Sequence, residues 1–223
     1  MPVPWEEASR FGLAITDESG RVTDFEEKPE HPKSNLASMG IYIFSWPVLK
    51  EALLALKDQP GCDFGKHILP YCKEKGQRLF AYEYNGYWKD VGTISSLWEA
   101  NMDLLAKNNT LDLNDPSWKI YTEDTTELPH YVGTNAEIKG AYITQGCHIE
   151  GEVRNSVLFT GAKVGPNAKV IDSVLMPGAI IEDGAVVTRA LVADNIRIGA
   201  NAVVGSADSD HIELVAKRVK GEE

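Results

Sequence analysis

Two fold classes follow one another in this sequence. Residues 1–105 read as an α/β region, and residues 131–223 as an all-β parallel β-helix of hexapeptide repeats, with a connector at 106–130. Two observations predict this. Beyond residue 130, aliphatic residues return at a nearly constant spacing among Gly, Asn and Asp. Ahead of it, short apolar runs alternate with segments of helical periodicity. A chain of 223 residues has room for one or two domains, which suits the division.

In the first region, Phe11 to Thr16 and Val22 to Glu26 flank Asp17-Glu18-Ser19-Gly20, the pattern of a β-hairpin. Gly40-Ile41-Tyr42-Ile43-Phe44 is a short apolar run, as expected of a buried strand. Val48, Leu49, Ala52, Leu53 and Leu56 fall on one helical face. Leu79 to Tyr84 reads as a strand with Phe80, Tyr82 and Tyr84 on one side. Thr93 is placed to N-cap a helix reaching about Leu105, with Leu97, Trp98, Asn101, Leu104 and Leu105 at helical spacing. Asn108-Asn109, Asp115-Pro116 and Pro129 mark the connector.

The repeat opens with an aliphatic residue and places a small or β-branched residue four positions later. Val132, Ile149, Val164, Ile181 and Ile198 start five copies, separated by 17, 15, 17 and 17 residues. Weaker copies at Val170 and Val187 lie between them. Three hexapeptides close one triangular coil. Each leading aliphatic then points inward and stacks on its counterpart one coil away, while Gly, Asn and Asp take corners that need positive φ. A β-sandwich with regular turns would not hold such a spacing over four intervals. A coil that ends openly exposes strand edges, which calls for a cap or a neighbouring chain.

Composition narrows the partners. The formal charge of −11 gives no net pull toward nucleic acid or an anionic membrane surface. No run of 18 apolar residues is present, and the acidic start at Met1-Pro2-Val3-Pro4-Trp5-Glu6-Glu7 does not resemble a signal peptide. Cys62, Cys72 and Cys147 form no C-x-x-C pair, which suits a reducing cytosol better than a disulfide framework or a zinc site.

Chemistry is expected at a few places. Glu27-Lys28-Pro29 stands where a strand hands over to a loop, and Pro29 should hold Lys28 in extended geometry. A carboxylate beside an ammonium suits a sugar phosphate, although a solvated Glu-Lys pair has the same spacing. Asp90, in Tyr87-Trp88-Lys89-Asp90-Val91-Gly92-Thr93, could ligate Mg²⁺ or simply favour the start of the helix that follows. Asp63 opens Asp63-Phe64-Gly65-Lys66 and is explained equally well by capping. The five histidines show no metal-ligand spacing. His148 leaves open a hexapeptide-helix acyltransferase, but a lone corner histidine is usually solvated, and Cys147 reads as a small core residue. Neither G-x-x-x-x-G-K nor G-x-G-x-x-G occurs.

Five motifs in order carry a resemblance: Pro4-Trp5-Glu6-Glu7-Ala8-Ser9-Arg10-Phe11-Gly12, Glu27-Lys28-Pro29, Leu36-Ala37-Ser38-Met39-Gly40-Ile41-Tyr42, Asp63-Phe64-Gly65-Lys66 and the Tyr87–Thr93 segment. With the hexapeptide tail, the chain resembles the bacterial glucose-1-phosphate adenylyltransferases over nearly its whole length. The resemblance implies a partial Rossmann-like nucleotidyltransferase domain followed by a left-handed β-helix. It implies an enzyme that makes ADP-glucose and pyrophosphate from ATP and glucose 1-phosphate for glycogen synthesis, in the cytoplasm, as a homotetramer. Glu27, Lys28, Ser38 and the backbone near Gly12 would then contact glucose 1-phosphate, and Asp90 would be one of two aspartates holding Mg²⁺. The family's ATP loop, catalytic arginine and other metal-binding aspartate belong to an N-terminal segment absent from this sequence. The chain is therefore expected to be a C-terminal portion, inactive by itself. A catalytically silent regulatory subunit of the same assembly is the alternative.

Overall fold

A computed structural model describes residues 1–122 and 125–221. They form two compact units, Met1–Trp88 and Lys89–Glu223.

In the first unit, a single helical turn, α1 (Trp5–Ala8), precedes the hairpin of β1 (Gly12–Thr16) and β2 (Val22–Glu27). The strands pair antiparallel with Gly12 opposite Glu27 and Ala14 opposite Phe25. Asp17 fixes the turn: its carboxylate accepts from the Ser19 hydroxyl at 2.6 Å, the Ser19 amide at 2.9 Å and the Arg21 amide at 3.1 Å. These bonds, the Ser19 hydroxyl first, hold its carboxyl below the usual aspartate range. Helix α2 spans Trp46–Leu56, and a π-helical turn at Phe64–Ile68 runs into α3 (Leu69–Glu74). Asp63 caps that turn, accepting from the Lys66 amide at 2.8 Å. Ala52, Leu56, Ile68 and Cys72 form one small core, and Ala8, Leu13 and Ala37 another.

Two expected strands are not formed. Segment 40–44 is irregular: Tyr42 and Phe44 pack against Phe64, while Ile41 and Ile43 are 73% and 99% exposed. Segment 79–84 contributes only the bridge of Phe80 to Arg21, and Tyr82 is 88% exposed. A strand is defined by its partners, and among the described residues no ladder runs beside either segment. Leu53, placed by periodicity on the buried face of α2, lies at its exposed margin.

The second unit begins with the segment carrying Asp90 and helix α4 (Ile94–Asp103). Thr93 caps it as expected. Its hydroxyl accepts from the Ser96 amide at 3.1 Å, while the Ser96 hydroxyl accepts from the Thr93 amide, closing a reciprocal capping box. The helix packs on a corner of the β-helix, where the Trp98 indole donates to the Asp172 carbonyl at 2.8 Å and the Arg189 guanidinium lies 5.5 Å from the Trp98 ring.

The β-helix has the expected register. Val132, Ile149, Val164, Ile181 and Ile198 pair in sequence along one face. Ile138, Val153, Val170, Val187 and Val204 do so along the second, and Ile143, Leu158, Leu175, Val192 and Val215 along the third. From Ile149 to Ile198 every leading aliphatic of the first face is at most 1% exposed. Ala168, Ala185 and Ala202 fill the narrow interior beside them. One corner stacks Asn155, Asp172 and Arg189 at φ of 44°, 48° and 49°. Asn and Asp tolerate this region, whereas arginine rarely adopts it. A buried hydroxyl ladder follows that corner. Ser156 accepts from the Ser173 amide and Ser173 from the Ala190 amide, each at 3.1 Å.

Candidate functional site

The end of the β1–β2 hairpin gathers four of the residues singled out from the sequence. Glu27 is the last residue of β2 and faces Gly12 across the ladder. The Lys28 amide donates to the Phe11 carbonyl at 3.1 Å, and the Ser38 amide to the Gly12 carbonyl at 2.7 Å. The loop holding Ser38 is thereby stitched to β1, which also bridges Ala37 through Leu13. Ser38 Oγ lies 2.9 Å from the Tyr42 hydroxyl. The Tyr42 ring stacks on Phe64 with centroids 5.6 Å apart.

Lys28 departs from expectation. Its φ is +48°, not the extended geometry anticipated before Pro29. Its amide is already committed to Phe11, so the chain leaves the hairpin by a left-handed turn at Lys28. Such a conformation is uncommon for a residue with a Cβ and concentrates at functional sites. The lysine side chain is left exposed, and the Glu27 carboxylate half-buried beside it.

Sequence reasoning assigned no role to two residues within its own motifs, Tyr42 and Gly65. Tyr42 faces the Ser38 hydroxyl, and buried Gly65 borders the Glu27 carboxylate. Their presence in the ordered motifs was the only signal available: Tyr42 lies four residues from Ser38 in an irregular segment, and Gly65 meets the hairpin only in the folded unit.

Asp90, in the second unit, is exposed and sits near Gly92, where a Cβ would be 3.4 Å from its carboxylate oxygens. Its neighbour Lys89 pairs with Asp103 at 3.0 Å and Glu99 at 3.2 Å on α4. Burial works against the Lys89 charge, but these two carboxylates more than offset it and hold its pKa above the ordinary lysine value. Among the described residues no group of three or more His, Cys, Asp or Glu side chains is arranged to hold a metal ion by itself. A divalent cation such as Mg²⁺ is commonly bound by one or two carboxylates together with phosphate oxygens and water, so a single carboxylate could serve as one ligand.

Cys147 and His148 both lie in the second unit. Cys147 is 1% exposed inside the β-helix, where burial pushes its thiol pKa up and keeps it protonated. His148 stacks on Tyr131 with ring centroids 4.6 Å apart, 3.6 Å from Glu150. No helix among the described residues is long and apolar enough to cross a membrane.

Residues 1–107 match the nucleotidyl transferase family, and residues 128–217 the GlmU-like C-terminal hexapeptide family. Glucose-1-phosphate adenylyltransferase of Bacillus cytotoxicus is 49% identical over 98% of this chain and 59% of its own length. The enzyme of the same name from Bacillus mycoides is 48% identical over 97% of the chain and 58% of its own length. That from Acetivibrio thermocellus is 44% identical over 95% and 50%. The chain thus spans between half and three-fifths of the length of the curated relatives it matches. With a nucleotidyl transferase segment, a hexapeptide segment and alignment over 95–98% of its own length, the chain is similar throughout to part of these glucose-1-phosphate adenylyltransferases.

Proposed function

We propose that the hairpin end formed by Gly12, Glu27, Lys28 and Ser38 binds glucose 1-phosphate, and that the protein carrying these residues makes ADP-glucose and pyrophosphate. The observation that supports this most directly is the tethering of all four residues to one strand end by ladder pairing and backbone hydrogen bonds. Glu27 and Ser38 would hold glucose hydroxyls, and Lys28 would neutralise the phosphate. A phosphate oxygen of the sugar phosphate would then attack the α-phosphorus of ATP as the bond to pyrophosphate breaks. For this chain's residues the work is orientation and charge neutralisation. Asp90 would contribute one hard oxygen ligand to a divalent cation, taken to be Mg²⁺, which supplies charge stabilisation at the phosphates when bound. The open coils of the β-helix suit association of chains, and a homotetramer is the proposed assembly.

The test is a split between two Michaelis constants. In a protein that carries these residues together with an ATP-binding segment, pyrophosphate release is measured for wild type and Lys28→Ala. Losing a charge-assisted phosphate contact of ~1.5–3 kcal/mol should raise the KM for glucose 1-phosphate roughly tenfold to a hundredfold and leave that for ATP nearly unchanged. Equal effects on both substrates would make Lys28 a structural residue. The 223 residues on their own carry no glycine-rich phosphate loop, and they should release no pyrophosphate above background.

A further inference from the structure

We infer that Gly65 is a positioning residue for the Glu27 carboxylate: its missing side chain forms one wall of a slot that aims this group, and Gly12 forms the other. The inference rests on the sugar-phosphate reading of Glu27. A Cβ placed on Gly12 would stand 2.6 Å from Glu27 Oε2 and 2.7 Å from Phe25 Cζ. A Cβ placed on Gly65 would stand 2.5 Å from the same oxygen and 3.3 Å from Phe25 Cε1. One carboxylate oxygen is therefore in contact range of two glycines from different elements, the hairpin and the π-helical turn. Phe25 closes the slot between them.

The geometry follows from the pleat. Phe25 and Glu27 are two apart on β2 and share a face, and Gly12 is directly opposite Glu27 in the ladder, so its Cβ would project onto that same face. Neither glycine has a positive φ. Backbone freedom is thus not what these positions use glycine for; space is. Gly65 moreover occupies a helical position, where glycine is a poor choice for stability. In each case the group that a methyl would strike is a side-chain tip. The carboxylate would yield rather than the backbone, so the fold should survive while the aim of Glu27 changes. A displacement of well under a bond length matters for a hydrogen bond to a sugar hydroxyl, whose useful range is narrow.

The experiment is a rescue, made in the protein that carries these residues together with an ATP-binding segment. Gly65→Ala should raise the KM for glucose 1-phosphate roughly tenfold with the KM for ATP unchanged, and with a melting temperature no lower than wild type. Glu27→Asp retracts the carboxylate by one methylene, so the double variant Gly65→Ala/Glu27→Asp should bind glucose 1-phosphate better than Gly65→Ala alone. A purely structural role for Gly65 would not be relieved by shortening Glu27. Gly65→Ala that unfolds the protein, an unchanged KM in Gly65→Ala, or a double variant no better than Gly65→Ala would each overturn the inference. Glu27→Ala separates it from the reading beneath it. If that variant keeps the wild-type KM for glucose 1-phosphate, the sugar-phosphate site itself is lost. If its KM rises while that of Gly65→Ala does not, only the role of Gly65 is lost.

Discussion

The β-helix and the α/β unit handle apolar surface in opposite ways. In the β-helix, one continuous core runs from Cys147 to Val215, and its aliphatics are stacked in register over successive coils. In the α/β unit the buried residues fall into two small clusters, while Ile43, Tyr82, Trp46 and Phe80 are each more than half exposed. The difference lies in how far the chain must travel to find a partner. A coil pairs with the residue 15 or 17 positions on, or 23 on at the last pairing of the third face, and every added coil repeats the same kind of contact. The hairpin end instead depends on Ser38, and on Phe64 and Gly65 together, arriving from two separate segments. Repetition yields a stiff body whose stability is close to a sum over neighbours. Convergence yields a site, with exposed edges and a strained Lys28 as its accompaniments.

Substitutions should separate the two regions by size of effect. The largest belongs to Ile181→Asp, which buries a charge between Val164 and Ile198 where no polar partner is at hand. A loss of several kcal/mol is expected, read as a fall in the melting temperature of the β-helix. An unchanged melt would mean that Ile181 faces solvent and that the register is wrong. Next is Ser173→Ala, which deprives the buried Ala190 amide of its acceptor and should cost about 1–3 kcal/mol in denaturant unfolding. A loss below the precision of that measurement would show the ladder to be dispensable. The smallest effect belongs to the other unit: Ile43→Ser alters a side chain that is 99% exposed and should change stability by less than about 0.5 kcal/mol. Were Ile43→Ser as damaging as Ser173→Ala, the contrast drawn between the two regions would not hold.

Some elements were fully legible before any coordinates. The Thr93 cap, the Asp63 cap and the turn at Asp17 depend on side chains reaching amides two to four residues away, so local sequence suffices. The reading that Gly, Asn and Asp take corners of positive φ holds at Asn167 and Asn201 within the repeats. Arg189 was not legible in this way, because arginine rarely adopts this backbone, and the Trp98 ring near its guanidinium comes from far along the chain. The runs at 40–44 and 79–84 have strand composition but no ladder, and apolar alternation alone cannot say whether a neighbour exists.

What the sequence by itself determined was therefore the repeat and its register, the helices at Trp46–Leu56 and Ile94–Asp103, the Thr93 cap, and the five motifs that carry the resemblance. Only the tertiary structure decided that Lys28 turns left-handed, that Tyr42 faces Ser38, and that Gly12 and Gly65 leave room for one carboxylate oxygen. The last of these joins segments remote in sequence, and the other two are choices that the surrounding fold makes for a short stretch of chain. Such arrangements are set by packing, and a pattern of residue types carries no record of them.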